Sequence, residues 1–199
     1  MKKLVLVVFS AISFATAHAQ FQFGAKAGAN FSTVTTSQFN DAKTLFNFNA
    51  GIWFKLPVAH GLAIQPEIYY SGQGAGYTDQ GYTGHEHFNY INVPFLLKFA
   101  HRSGIYAETG PQLAFLVSAN DKFQGTSVDI KPYINSAEFA WVFGFGYKVP
   151  MSPVGIDFRY NLGISNIQDN GASGANGQTV RNSVFQIGLT YVLWSSGRR

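Results

Sequence analysis

The 199-residue sequence predicts an all-β fold: one eight-stranded antiparallel transmembrane β-barrel. Three observations predict it. Apolar residues recur at every second position in about eight separate stretches, the signature of strands with two unlike faces. The N-terminus reads as an export signal. The segments between the stretches alternate long and short.

Residues 154–164 show the pattern best. Val154, Ile156, Phe158, Tyr160, Leu162 and Ile164 share one face, and Gly155, Asp157, Arg159, Asn161 and Gly163 share the other. The apolar face is large and aromatic, while the polar face carries opposite charges two residues apart. Lipid outside and a polar interior satisfy both faces, and closure leaves no unpaired edge.

The other strands follow in order. Residues 21–31 alternate Phe and Ala with Gln22, Lys26 and Asn30, and the polar stretch 32–44 reads as a loop. Residues 45–56 place Phe46, Phe48, Ile52 and Phe54 outward and Asn47, Asn49, Trp53 and Lys55 inward; 57–61 is a turn. Residues 62–71 place Gln65, Glu67, Tyr69 and Ser71 inward, and 72–86 is a Gly-, Tyr- and Gln-rich loop. Residues 87–99 place Asn92, Pro94 and Lys98 inward, with a turn at 100–104. Residues 105–117 place Glu108 and Gln112 inward, and 118–134 is a long polar loop. Residues 137–149 set Phe139, Trp141, Phe143, Phe145 and Tyr147 opposite Glu138, Gly144, Gly146 and Lys148, with a turn at 150–153. After residues 154–164 comes a Gly-rich loop, 165–181, and the last strand spans 182–194. Stretches of 9–11 residues suffice to cross a bilayer at a tilt. With the N-terminus in the periplasm, the long loops face outside and the short turns face the periplasm. Pro66, Pro94 and Pro111 lie inside strands, where each removes a ladder donor, and local bulges are expected there.

Residues 1–19 fit a cleaved signal peptide. Lys2 and Lys3 form the basic region, 4–14 the apolar run, and Ala17-His18-Ala19 the cleavage site, with the cut between Ala19 and Gln20. The barrel domain is then 20–199. Twelve of the 14 basic residues remain against 10 acidic ones, a net charge of +2. With no basic patch interleaved with aromatics, nucleic acid is not an expected partner. Cysteine is absent, which excludes a lipoprotein anchor. Aromatics are abundant (19 Phe, 10 Tyr) and charges few, yet overall hydropathy is near neutral, as suits a chain divided between lipid and a polar lumen.

Four stretches resemble the PorT-like outer-membrane β-barrel family of Bacteroidetes. They are Gln65-Pro66-Glu67-Ile68-Tyr69-Tyr70-Ser71, Asn92-Val93-Pro94-Phe95-Leu96-Leu97-Lys98, Glu108-Thr109-Gly110-Pro111-Gln112 and Asp157-Phe158-Arg159-Tyr160-Asn161-Leu162-Gly163. Their order covers essentially the whole mature chain. The resemblance implies a small barrel in the Gram-negative outer membrane; the family's namesake takes part in protein secretion. Gln186-x-Gly188-x-x-Tyr191-x-Leu193 also resembles the C-terminal signal read by the barrel assembly machinery, although residues 195–199 extend beyond it.

The inward charges are the candidate site: Lys26, Lys55, Glu67, Lys98, Glu108, Glu138, Lys148, Asp157 and Arg159. An eight-stranded barrel is just wide enough for its own side chains to fill it, so these charges are expected to pair as a structural network centred on Glu67, Glu108, Asp157 and Arg159. His85 and His87 are the weak metal candidates, since on a strand they would share a face. No metal or cofactor is expected. Ser71, His85, His87, Asp79 and Asp121 are the residues a barrel-mouth hydrolase or acyltransferase could draw on, but no spacing marks a nucleophile and base. Tyr70, Tyr90, Phe139, Tyr147 and Tyr191 read as lipid contacts or interface girdles. The reading is a non-enzymatic barrel with a plugged lumen and a structural or interaction role, as an accessory to secretion or surface assembly. A narrow channel or solute binder is the alternative. Expected partners are outer-membrane lipid, the barrel assembly machinery during biogenesis, and an envelope protein.

Overall fold

The computed structural model describes residues 20–36, 43–79, 82–169 and 179–196; the signal peptide and its cleavage site before Gln20 fall outside the described residues. The strands are β1 (Gln22–Thr36), β2 (Lys43–Ala59), β3 (Leu62–Asp79), β4 (Tyr82–Ala100), β5 (Ile105–Phe123), β6 (Thr126–Asp129), β7 (Ala137–Lys148), β8 (Val154–Gly163) and β9 (Val180–Ser195). All pairings are antiparallel. β1 bonds β2 on one side and β9 on the other, and β4–β5 pairing closes the ring. β6 is a short hairpin arm on β5, so eight strands form the wall, as the alternation predicts.

The wall is an inverted core. Phe46, Phe145 and Leu189 are more than half exposed on the outer face, while Arg159, Glu67 and Asn92 are buried inside. A bilayer suits such a surface and water does not. At the short-turn end the chain reverses through Gly61 and Gly104, both with positive φ. At Gly104 a side chain would also run into the Lys148 carbonyl.

Three expectations fail. First, residues 72–86 are not a loop. β3 and β4 run on to Asp79 and Tyr82, pairing Gly76 with His85 and Thr78 with Thr83. The inward residues at odd positions of β3 continue through Ser71, Gln73 and Ala75, and only the intervening Gly72, Gly74 and Gly76 suggest a loop. Likewise β5 continues to Phe123, inside the expected 118–134 loop. Second, Pro66, Pro94 and Pro111 cause no bulge. Pro66 faces Phe95 and the β3–β4 register is unchanged at Tyr69–Asn92; Pro94–Gln112 and Leu97–Thr109 keep one β4–β5 register; Pro111 pairs with Trp141 in an unbroken register. Each proline removes one donor, but the flanking rungs on both sides hold the strand in place. The register shifts lie elsewhere, one of them between Asn89 and Tyr90, where Val117 is the extra residue on β5. Beyond it inward facing passes from even positions such as Leu116 to odd ones such as Ala119. Third, Tyr90 is not a lipid-facing aromatic. It has the parity of Asn92 and is fully buried inside the barrel.

Candidate functional site: the barrel lumen

The lumen is stacked in four layers, ordered by the inward positions of each strand. Nearest the short turns is a mouth lined by Lys55, Lys98 and Lys148. Next comes a layer of paired charges. Above it lies a layer of amides, and at the loop end an apolar plug.

The charged layer joins six of the nine predicted residues. Arg159 donates Nη1 and Nη2 to the two carboxylate oxygens of Glu67, at 2.6 and 2.7 Å. Its Nε donates to Glu108 at 2.6 Å and lies 3.1 Å from Asp157. Lys26 completes the far side, 3.4 Å from Glu67 and 3.7 Å from Asp157, while Lys98 sits 3.3 Å from Glu108. Three cations thus face three carboxylates, a neutral set that is buried, with Lys98 at its edge on the mouth. Arginine suits the centre because its planar fork meets a carboxylate with two parallel bonds. β8 and β3 stand opposite each other in the ring, so the Arg159–Glu67 pair crosses the full diameter. Glycines make room for it. A Cβ on Gly144 would come within 3.0 Å of Glu108 and 3.1 Å of Arg159 side-chain carbons, and one on Gly188 would collide with the Asp157 carboxylate.

The other three predicted residues stand apart. Lys55 and Lys148 line the mouth, half-buried, with no acid within 4 Å among the described residues. Glu138 lies near the loop end, accepting a 2.7 Å bond from Asn182. The amide layer was not singled out in the sequence. Asn49 donates to Asn30 at 2.6 Å, Gln186 donates to Asn30 at 3.0 Å, and Asn30 donates to the Gly72 carbonyl at 2.7 Å. Tyr69 donates to Gln112 at 2.8 Å, and Asn161 reaches Tyr69 across the ring at 3.4 Å. These amides share parity with the charges, which is the signal that could have identified them.

The apolar plug is formed by Phe88, Tyr90, Ala114, Leu116, Ala119 and Ile167, with Ile130 and Ile134 packed against it. Ile167 comes from the segment after β8, and Ile130 and Ile134 from the segment after β6. The two segments are tied together: Asn135 donates its side-chain amide to the carbonyls of Asn166 and Gln168, and its backbone N–H to Ile167.

His85 and His87 share the outer face of β4, ring centroids 6.3 Å apart. Among the described residues, no group of three His, Cys, Asp or Glu side chains converges on a metal-sized site. Among the described residues, those considered for hydrolysis do not assemble. Ser71 is buried in the lumen beside Asn30 and Gln73, Asp121 accepts from Tyr77, and the histidines point away. The side chain of Asp79 lies outside the described residues. Glu86 and His87 stand beyond the apolar belt, on the loop-end extension of β4. Burial, then the Asp121 charge, raises the Glu86 carboxyl above its usual range. Burial, Lys122 and His85 lower His87.

A family described as outer membrane protein beta-barrel domain matches residues 13–169. The crystal structure of Neisserial surface protein A is similar, with 16% identity and a TM-score of 0.54, covering 85% of this chain and 96% of that one. The attachment invasion locus protein Ail of Yersinia pestis gives 14% identity and a TM-score of 0.48 over 88% and 99% of the two chains. OprG from Pseudomonas aeruginosa gives 13% and 0.48 over 88% and 96%. Comparison with curated proteins gives no match.

Proposed function

We propose, from the premise that this chain belongs to the outer membrane protein β-barrel domain family and resides in the outer membrane, that it is a non-enzymatic barrel with a closed lumen and a structural or interaction role. The observation that carries this reading is the Arg159–Glu67 pair across the ring diameter, buried within a neutral cluster of six charges. Side chains bonded across the ring support a closed lumen, and a second set, from Asn182 to Tyr90 and from Asn161 to Tyr69, crosses it again nearer the loops. The outer belt of Phe, Leu and Ile side chains supports contact with lipid, and residues 1–19 are read as the export signal. Activity then belongs to the loop end, where two interlocked segments present an ordered surface outside the membrane. The finer reading is a PorT-like accessory of secretion or surface assembly, supported by the four motifs around Glu67, Asn92, Glu108 and Arg159.

The test is a mild-detergent pull-down from native outer membranes of the protein tagged within residues 170–178. A stoichiometric envelope protein is expected. Recovery of the barrel alone, with steady single-channel steps in a planar bilayer, would overturn the reading in favour of a narrow channel.

A further inference from the structure

The short-turn mouth is a cavity of about 280 Å³. Drug-sized ligands occupy roughly 300–1,000 Å³, so this space fits a smaller group. Among the described residues its charged lining is basic: Lys55, Lys98, Lys148 and Arg102 face it, and no Asp or Glu does. Lys98 is already balanced, with its ammonium 3.3 Å from Glu108 and 3.5 Å from the Tyr106 ring centroid. The six-charge layer above is neutral, so it supplies no counter-charge to the mouth. Among the described residues, Lys55 and Lys148 therefore hold two positive charges without an acidic partner inside one half-enclosed space. Like charges gathered away from bulk water repel. An anion between them would offset that repulsion.

We infer that this mouth binds a phosphate group, held by Lys55 and Lys148 with Arg102 at the rim. A phosphomonoester carries about −1.5 to −2 at neutral pH, which matches these two lysines. Lysine serves such a group as a point charge, and arginine as a fork. The short turns face the periplasm. The phosphate can thus arrive as a soluble ion or phosphomonoester, or as the headgroup of an inner-leaflet lipid. The site is independent of the closed-lumen reading, because it lies below the charged layer.

The test uses the full barrel in an uncharged detergent. Titration with inorganic phosphate, against sodium chloride of equal ionic strength, should show saturable binding in phosphate alone. Binding should weaken about tenfold for each of Lys55→Met and Lys148→Met, the scale of one lost charge-assisted bond. Removing either of two repelling cations should leave folding intact, read as heat-modifiable gel mobility. A second measurement needs no variant: phosphate should protect Lys55 and Lys148 of the wild-type protein from acetylation, read by mass spectrometry. In phosphatidylcholine vesicles free of phosphate, protection that appears only when phosphatidic acid is included assigns the site to lipid; protection by soluble phosphate alone assigns it to a periplasmic solute. Equal effects of phosphate and chloride, or unchanged labelling in every arm, would overturn the site.

Discussion

The two ends of the lumen are built in opposite ways. At the loop end, Phe88, Tyr90, Leu116 and Ile167 form a buried, largely apolar plug, and its last pieces come from segments outside the strands. At the short-turn end the described residues form no plug, and cations face a cavity. Between them lies a layer in which every charge is paired. The difference teaches that one alternating pattern fixes which side chains enter the lumen but not what they do there. Charges bridge the barrel where opposite signs meet across the diameter. They line a cavity where one sign stands alone among the described residues.

Breaking the middle layer should have the largest effect. Arg159→Met would leave Glu67, Glu108 and Asp157 with only Lys26 and Lys98, and should cost about 3–5 kcal/mol of folding stability. Urea unfolding of the barrel in lipid, followed by gel mobility, measures this. Exchanging the charges of Asp157 and Arg159 should also destabilise the fold, because the short Asp157 carboxylate already lies against Gly188 and leaves no room there for an arginine. A swapped variant as stable as wild type would show the network to be indifferent to position.

The plug comes next. Phe88→Ala should cost about 3 kcal/mol through a cavity that the surrounding strands cannot close. Ile167→Ala should instead act mostly on the segments it pins, and be seen as faster amide exchange across residues 130–135. Equal exchange in both proteins would make the plug a property of the strands alone.

Gly144→Ala is a smaller probe. The added methyl presses on Glu108 and Arg159, and should cost about 1–3 kcal/mol unless both side chains shift. The smallest effect is expected outside the belt. Glu86 has a folded-state pKa raised by burial and Asp121, so the folded protein holds the proton more tightly than the unfolded chain does. Its contribution to the β3–β4 extension is fully present below the ordinary carboxylate value, 4.5, and is lost as pH rises through the raised value. Amide exchange at residues 75–88 should show this dependence, and Glu86→Gln should flatten it. A dependence of the opposite sign would point instead to His87, whose lowered pKa destabilises the same extension on acidification.

Much of this was legible in the chain. Strand number, the antiparallel ring and the inward facing of all nine predicted charges follow from parity, because a pleated strand turns alternate side chains to opposite faces whatever its neighbours do. Parity also reached further than the expectations drawn from it. Phe88 and Tyr90 continue the inward series of Asn92, and Gly-rich composition concealed the length of β3. What parity does not carry is height and partnership. Arg159 meets Glu67, 92 residues away, only because closure sets β8 opposite β3 at one level. Glu138 has the same parity as the paired charges, yet it stands higher in the barrel and bonds Asn182 instead. The sequence by itself determined the barrel and its polar interior, since the period-two pattern is local and lipid enforces it. Only the tertiary structure decided which charges pair, which stand alone at the mouth, and which loop segments seal the other end, since tilt and stagger set contact across the ring.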